Sequence, residues 1–227
     1  MKQEVELISS FIRVTFVQSH KSTAVIALSG GIDSAASFVL TVIALGSQHV
    51  HAFYLPSKTS NPLHLQHCHE LTSSFNLPTS NFHIIPIASI IQKSWRIIKK
   101  NTFDKSEILS AQPCLADRRA DAFRHATCLP AGRALQNSDL SKLRLANLSA
   151  RIRMTIIFDQ AKKFDALVVG TENRSEHLLG YFTRFGDEAS DIEPIRHLFK
   201  TQVIELAHTL NIPQPIIDKP PTADLWP

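Results

Sequence analysis

Six residues invite a chemical reading before any others: Ser29-Gly30-Gly31-Ile32-Asp33-Ser34. They follow the apolar run Ala24–Leu28 directly and precede an uncharged apolar stretch, so a strand should lead in and a helix lead out. Two adjacent glycines let the backbone turn tightly and bring its N–H groups close to a ligand. The start of the following helix adds unpaired N–H groups and a partial positive charge, and Ser29 and Ser34 add hydroxyl donors. Together these make a cradle for phosphate oxygens. Asp33 inside that cradle would repel phosphate unless a cation stood between them, so its presence points to Mg²⁺. The segment is neither G-x-x-x-x-G-K-[ST] nor G-x-G-x-x-G. The plainer alternative is a Gly-Gly turn in which Asp33 and Ser34 merely cap the helix.

The elements that must position this loop can be read from apolar patterning. Continuous apolar or β-branched runs at Ala24–Leu28, Val50–Leu55, His83–Ile87 and Ala166–Gly170 suit strands buried on both faces of a parallel sheet. Segments of helical length lie between the first three, at 34–45 and about 62–76; a further helix is expected over 4–17 and another over 143–162. Strand, helix, strand, helix, strand implies an α/β fold, a doubly wound parallel sheet flanked by helices. Ligands of such sheets sit at the carboxyl ends of the strands, which directs attention to the loops after Leu28 and Gly170. Residues 95–146, with Trp95, two Cys, Pro113 and Pro130, break the periodicity and read as a long loop or insertion within a single domain over 1–227.

Composition narrows the classes. The chain has 227 residues, 24 Lys+Arg and 20 Asp+Glu, for a formal net charge of +4. That excess is local: residues 95–146 hold ten Lys and Arg against five Asp and Glu, and the rest holds 14 against 15. A nearly neutral body argues against a general nucleic-acid surface. Instead, the basic insertion, Arg118, Arg119 and Arg124 above all, is expected to fold over the site and help hold phosphates. The charge-free stretch 34–57 is long enough to span a bilayer, but Gly46-Ser47-Gln48-His49 and His51 divide it into a buried helix and a strand. The N-terminus has no signal-peptide apolar region. Three cysteines without framework spacing argue against a secreted disulfide scaffold, so a cytoplasmic protein is expected. His64, His67, Cys68 and His69, with Cys114, His125 and Cys128, match no zinc-ligand spacing, and Cys68 reads as a small core residue.

The loop SGGIDS resembles the PP-loop of ATP pyrophosphatases, and three later segments make the resemblance specific to NAD synthetases. Asn147-Leu148-Ser149-Ala150-Arg151-Ile152-Arg153-Met154 is similar to their N-x-x-A-R-x-R-M helix. Gly170-Thr171-Glu172-Asn173-Arg174-Ser175-Glu176, with Gly180-Tyr181-Phe182-Thr183-Arg184-Phe185-Gly186-Asp187, is similar to their G-T-x-N-x-S-E…G-Y-F-T-K-[YF]-G-D stretch. Lys219-Pro220-Pro221-Thr222-Ala223-Asp224-Leu225 is similar to their K-x-P-[ST]-A-x-L tail. The four motifs stand in the family's order.

The resemblance implies a Rossmann-like fold of the adenine nucleotide alpha hydrolase type. It also implies Mg²⁺-dependent amidation of nicotinate adenine dinucleotide (deamido-NAD) to NAD, with ATP as co-substrate and a homodimer as the working form. Ser29, Gly30, Gly31, Asp33, Ser34, Thr171, Lys200 and Thr222 would contact ATP. Asp33 and Glu176 would hold the metal, and Arg151, Arg184 and Asp191 would contact the dinucleotide. Plainer roles stand beside these: Arg151 and Arg153 as a solvated helix face, Glu176 as a first-turn acid, Lys200 as a solvated loop residue and Asp187 in an Asx turn. Position 184 is Arg where the family has Lys, which exchanges a point charge for a planar fork. Only about 20 residues precede the first strand, so ammonia rather than glutamine is the expected nitrogen donor. The sequence stops at Pro227, where family members usually continue with a segment covering the site. Two other readings remain open at this stage: a tRNA-modifying PP-loop enzyme and a non-catalytic nucleotide-binding protein.

Overall fold

The computed structural model describes residues 1–101 and 137–220, with side chains for 1–100 and 140–220. The basic cluster at Arg118, Arg119 and Arg124, the residues Cys114, His125 and Cys128, and Thr222 lie outside the described residues. Helix α1 (Lys2–Gln18) leads into β1 (Thr23–Ala27), α2 (Ile32–Leu45), β2 (Val50–Tyr54), α3 (Pro62–Ser74), β3 (Phe82–Ile84) and α4 (Ala88–Asn101). After the undescribed stretch come α5 (Asn137–Lys163), β4 (Ala166–Val169), α6 (Arg174–Leu179), α7 (Lys200–Thr209) and α8 (Gln214–Ile217).

The four strands form one parallel sheet in the order β3-β2-β1-β4. Alternation along each strand feeds two cores, one on each face. Ala24 and Ile26 of β1, Val50, Ala52 and Tyr54 of β2 and Val169 of β4 join α1, α2, α3, α7 and α8 on one side. Val25, Phe53 and Val168 meet Ile87 and Ile91 at the start of α4, and Ile157 and Ala161 of α5, on the other. Both faces are therefore dry, which is why these strands read as continuous apolar runs and not as alternating ones. Helix α1 contributes Ile8, Ile12 and Phe16 at four-residue spacing, one stripe of a helix surface. Among the described residues no helix is long and apolar enough to cross a membrane.

The expected α/β architecture is present with a strand at each of the four places, but the third is Phe82–Ile84, so Ile85, Pro86 and Ile87 of the expected run 83–87 lie beyond it, and Ile87 packs at the start of α4 instead. Both described ends of the span 95–146 are helical, where a loop was expected. Helix α4 runs through residues 95–101, with Ile91, Ser94, Trp95 and Ile98 turned inward at helical spacing while Lys99 and Lys100 face solvent. Helix α5 begins at Asn137, six residues before the apolar pattern resumes at Leu143. Arg144 lies with its guanidinium 5.4 Å from the Trp95 ring centre, so the first turns of α5 are tied to α4 by a contact that periodicity does not reveal.

Candidate active site

Because β2 and β4 flank β1, the chain leaves β1 in one direction and returns on the other side, opening a crevice between the carboxyl ends of β1 and β4. The loop Ser29–Gly31 lies on one side of it. Ser34, buried in the first turn of α2, organises this loop. Its Oγ accepts from the Ser29 N–H at 3.3 Å, donates to the Gly31 carbonyl at 3.0 Å and stands 3.0 Å from Ser29 Oγ. Ser29 Oγ in turn accepts the Gly31 N–H at 3.2 Å. Gly30 has φ +72°, and a Cβ there would stand 2.9 Å from both Cα and O of His64. Only glycine fits this turn against α3. Ser29 itself is exposed at the crevice.

The loop after β4 supplies the other side. Asn173, fully buried, caps α6: its Oδ1 accepts the Glu176 N–H at 3.0 Å, and Glu176 Oε2 accepts the Asn173 N–H at 3.3 Å. The same side chain turns its Nδ2 outward to donate to Asp33 Oδ1 at 3.0 Å, while Lys200 Nζ, at the start of α7, donates to Asp33 Oδ2. The Lys200 N–H bonds to Ser175 Oγ at 3.1 Å, fixing the start of α7 to α6. Asp33, Asn173, Glu176 and Lys200 thus converge from α2, the β4 loop, α6 and α7. Burial, and then the negative charge of Asp33, push the Glu176 carboxyl up to about 7, opposed by the Asn173 N–H and by Lys200. Two carboxylates tied to one asparagine, Asp33 through its Nδ2 and Glu176 through its N–H, are a fit for a hard divalent cation, whose oxygen ligands they would be. Asn173 is the member that motif reading left without a role. Its signal is an Asn three residues before a Glu just beyond a strand, the mark of a capping box.

An acidic pair, Glu172 buried and Glu193 half-buried, stands on the same loop and the segment that follows it. Glu193 accepts the Ser190 hydroxyl at 2.7 Å and the Glu172 N–H at 3.1 Å, and burial pushes its carboxyl up to about 7. The Glu172 carboxylate is also buried, with His177 and Arg196 each 3.5 Å away, and burial raises its pKa. Gly170 has the Glu193 carboxylate directly against it, so a side chain there would have to displace that carboxylate. Thr171 is half-buried on the same loop.

The two motifs expected at the dinucleotide meet each other. Thr183 Oγ1 donates to Asn147 Oδ1 at 3.0 Å, Arg151 Nε to the Arg184 carbonyl at 3.2 Å, and Gly186 packs against Ala150. Asp187 accepts the Thr183 N–H, four residues earlier, at 2.9 Å, which is not the Asx turn its sequence suggested; burial raises its pKa, with Arg153 among the opposing influences. Arg153 is not a solvated residue, since its Nε donates to the Leu55 carbonyl at the end of β2, 3.2 Å away. Asp191 lies at the edge of β4 and accepts the Val168 N–H at 2.7 Å, which gives that carboxylate a structural partner. The Arg184 guanidinium rests 4.8 Å from the Phe185 ring centre. Cys68 is core, with its thiol pushed by burial up to about 12, and among the described residues no three His, Cys, Asp or Glu gather as a metal-binding group.

A switch point furnished in this way defines a class, that of α/β proteins built around a PP-loop rather than a lysine-bearing P-loop. Comparison with known proteins narrows it. The chain belongs to the NAD synthase family, whose pattern matches residues 4–128 and 120–227. It is 36% identical over 227 residues to the NH(3)-dependent NAD(+) synthetase of Helicobacter hepaticus, covering 100% of this chain and 72% of that one. It is 35% identical over 233 residues to the protein of the same name from Thermotoga neapolitana, with 98% and 76% covered. Among solved structures, the NH3-dependent NAD synthetase of Campylobacter jejuni superimposes with a TM-score of 0.72 at 30% identity, covering 96% of this chain and 76% of that one. NMN synthetase from Francisella tularensis superimposes with a TM-score of 0.77 at 27% identity, covering 99% and 76%.

Proposed function

We propose that the chain is an ammonia-dependent NAD synthetase, a ligase that forms a C–N bond by amidating deamido-NAD at the expense of ATP. The observation that carries this reading is the convergence of Asp33, Asn173, Glu176 and Lys200 beside the Ser29–Gly31 loop, in a chain of the NAD synthase family. The nicotinate carboxylate oxygen attacks the α-phosphorus of ATP. The bond to the β,γ-diphosphate breaks, releasing pyrophosphate and leaving a mixed anhydride with AMP. Ammonia then attacks the carboxyl carbon, loses a proton to solvent or a nearby base, and AMP departs.

The residues of this chain contribute mainly position and charge. Ser29, Gly30, Gly31 and Ser34 cradle phosphate oxygens, Thr171 and Thr222 contact ATP, and Lys200 sets a positive charge against the polyphosphate. Asp33 and Glu176 would hold Mg²⁺, which would supply charge neutralisation on the triphosphate. Arg151, Arg184 and Asp191 contact the dinucleotide. Asn147, Thr183 and Asp187 lock the Arg184 turn onto α5 and so fix the spacing between the two arginines. The reading takes residues 1–227 as one domain, and includes a homodimer and a cytoplasmic location.

Pyrophosphate and NAD formation, measured with ATP, Mg²⁺ and deamido-NAD, should require ammonium and should not respond to glutamine. Omission of deamido-NAD should abolish pyrophosphate release. The likeness to NMN synthetase supplies a control arm: nicotinate mononucleotide in place of deamido-NAD should be the poorer substrate. Turnover of the mononucleotide in preference to the dinucleotide would overturn the substrate assignment, and absence of ATP cleavage with either would overturn the reaction. Asp33→Ala should lose the first step altogether.

A further inference from the structure

One contact beneath the phosphate loop has no part in the chemistry above. Gly30 is seated on α3, its Cα so close to His64 that a Cβ would stand 3.1 Å from the His64 Cβ as well as 2.9 Å from two backbone atoms. Cys68 stands one helical turn further along the same face of α3, buried, and the Gly30 backbone and Lys219 both bear on its thiol. His64 is buried, at 4% exposure, and its Nε2 lies 2.8 Å from Nζ of Lys219, a residue 155 positions away that follows α8. A lysine ammonium offers donors only, so His64 Nε2 is the acceptor and the imidazole is neutral at that nitrogen. The same histidine therefore meets Gly30 through its backbone and Cβ and Lys219 through its ring.

We infer that His64 is a positioning residue for ATP, which holds the Lys219 ammonium beside Gly30 so that a second lysine charge, besides that of Lys200, bears on the phosphate loop. The ligand class is a nucleoside triphosphate, and the inference rests on the ATP-dependent activity proposed above. A charge held near a low-dielectric loop acts on phosphate far more strongly than one moving freely in solvent. Fixing Lys219 is therefore worth more to the site than its presence alone. His64 is thus the link between the seat of Gly30 on α3 and the Lys219 cation.

The test is steady-state kinetics with ATP varied and deamido-NAD and ammonium saturating. His64→Leu and Lys219→Met should each raise KM for ATP about ten-fold, the loss expected for one charge-assisted hydrogen bond. KM for deamido-NAD and kcat should stay within about two-fold of wild type, because the lost interaction is with bound ATP in ground and transition states alike. The double variant should be no worse than either single one, since both remove one interaction. His64→Gln, whose Oε1 can accept from Lys219, should recover most of the affinity for ATP. Lys219 is half-exposed, so Lys219→Met remains informative should His64→Leu melt at a lower temperature. Multiplying effects in the double variant, an unmoved KM in Lys219→Met, or a His64→Gln no better than His64→Leu would overturn the inference. A wild-type chain without ATP-dependent turnover would overturn the proposed function instead.

Discussion

Replacing Asn173 separates the two tasks this buried side chain performs. Its Oδ1 caps α6 by accepting the Glu176 N–H at 3.0 Å, and its Nδ2 donates to Asp33 Oδ1 at 3.0 Å. Asn173→Ala removes both. Loss of an N-cap costs about 1 kcal/mol, and loss of a hydrogen bond to a charged group about 1.5–3 kcal/mol. The total of about 3 kcal/mol corresponds to a Tm lower by on the order of 10 °C for a chain of this size. Asn173→Ser keeps an acceptor for the Glu176 N–H but offers Asp33 no amide donor, so it should recover roughly a third of the loss, the share that belongs to the cap. Asn173→Asp also keeps the cap but sets a carboxylate against Asp33, and should melt below Asn173→Ser at neutral pH. The assay is thermal unfolding of the four proteins side by side at one pH and salt concentration. If Asn173→Ala melted with the wild type, or Asn173→Asp melted above Asn173→Ser, the assignment of Asn173 as the tie between Asp33 and Glu176 would be refuted.

Three further outcomes follow from the geometry. Gly30→Ala forces a left-handed residue at about 1–2 kcal/mol and a Cβ into the backbone of α3. It should lower Tm and weaken ATP use together, and a variant with wild-type Tm and KM would contradict the seating of Gly30 on His64. Gly170→Ala should displace the Glu193 carboxylate from the Glu172 N–H and destabilise by about 1–3 kcal/mol, as overpacking of a filled site does; urea unfolding measures it. His51 Nδ1 and His83 Nε2 stand 3.1 Å apart within a stack that includes Phe53 and Phe164, and burial chiefly holds both pKa values below 6.5. The unfolded chain then binds protons more readily, so their contribution is complete above about pH 6.5 and is lost as pH falls from there towards the folded values. Tm should drop between pH 7 and pH 5, and His51→Phe, which can keep the stack on Phe164, should flatten that drop; equal slopes in the two proteins would count against it.

The parts of this fold legible in the sequence are those whose signal is local. Ala24–Leu28 and Ala166–Gly170 announce buried strands because both faces of the sheet are covered, and the Gly30-Gly31 pair announces a turn because a side chain at Gly30 would strike α3. Helix α4 was hidden because Arg96, Lys99 and Lys100 dominate residues 95–101, while its inward stripe is completed by Trp95, which answers to Arg144 some fifty positions away. The candidate site was legible as a set of residues and not as a set of contacts. Arg153, for which a charged helix face shared with Arg151 was the plainer alternative, reaches the carbonyl just past β2, and Asp191 spends one oxygen on the edge of β4. Spacing along one helix says which face a residue is on, but not which strand end the fold brings to that face.

The charges at the switch point argue for the order in which the site must be filled. Asp33 already has Asn173 and Lys200 on its two oxygens, whereas Glu176 is held at about 7 by burial and by Asp33. In the protein alone, then, the second carboxylate is the poorly satisfied member, and Lys200 is committed to the first. On the proposed reading, a divalent cation arriving with the triphosphate resolves both conditions at once. Asp33 and Glu176 would be the residues to hold it, and Lys200, no longer needed to balance Asp33, would be free to face the phosphates. Neither change is favourable by itself: Lys200 leaving without a cation would strand two carboxylates in a partly buried site, and phosphate arriving without one would meet them directly. Lys200→Met should therefore weaken ATP binding more than it weakens the fold, because the carboxylates it leaves behind can still be neutralised by the cation. Parallel losses in Tm and in affinity for ATP, measured with Mg²⁺ present throughout, would show Lys200 to be a partner of Asp33 alone.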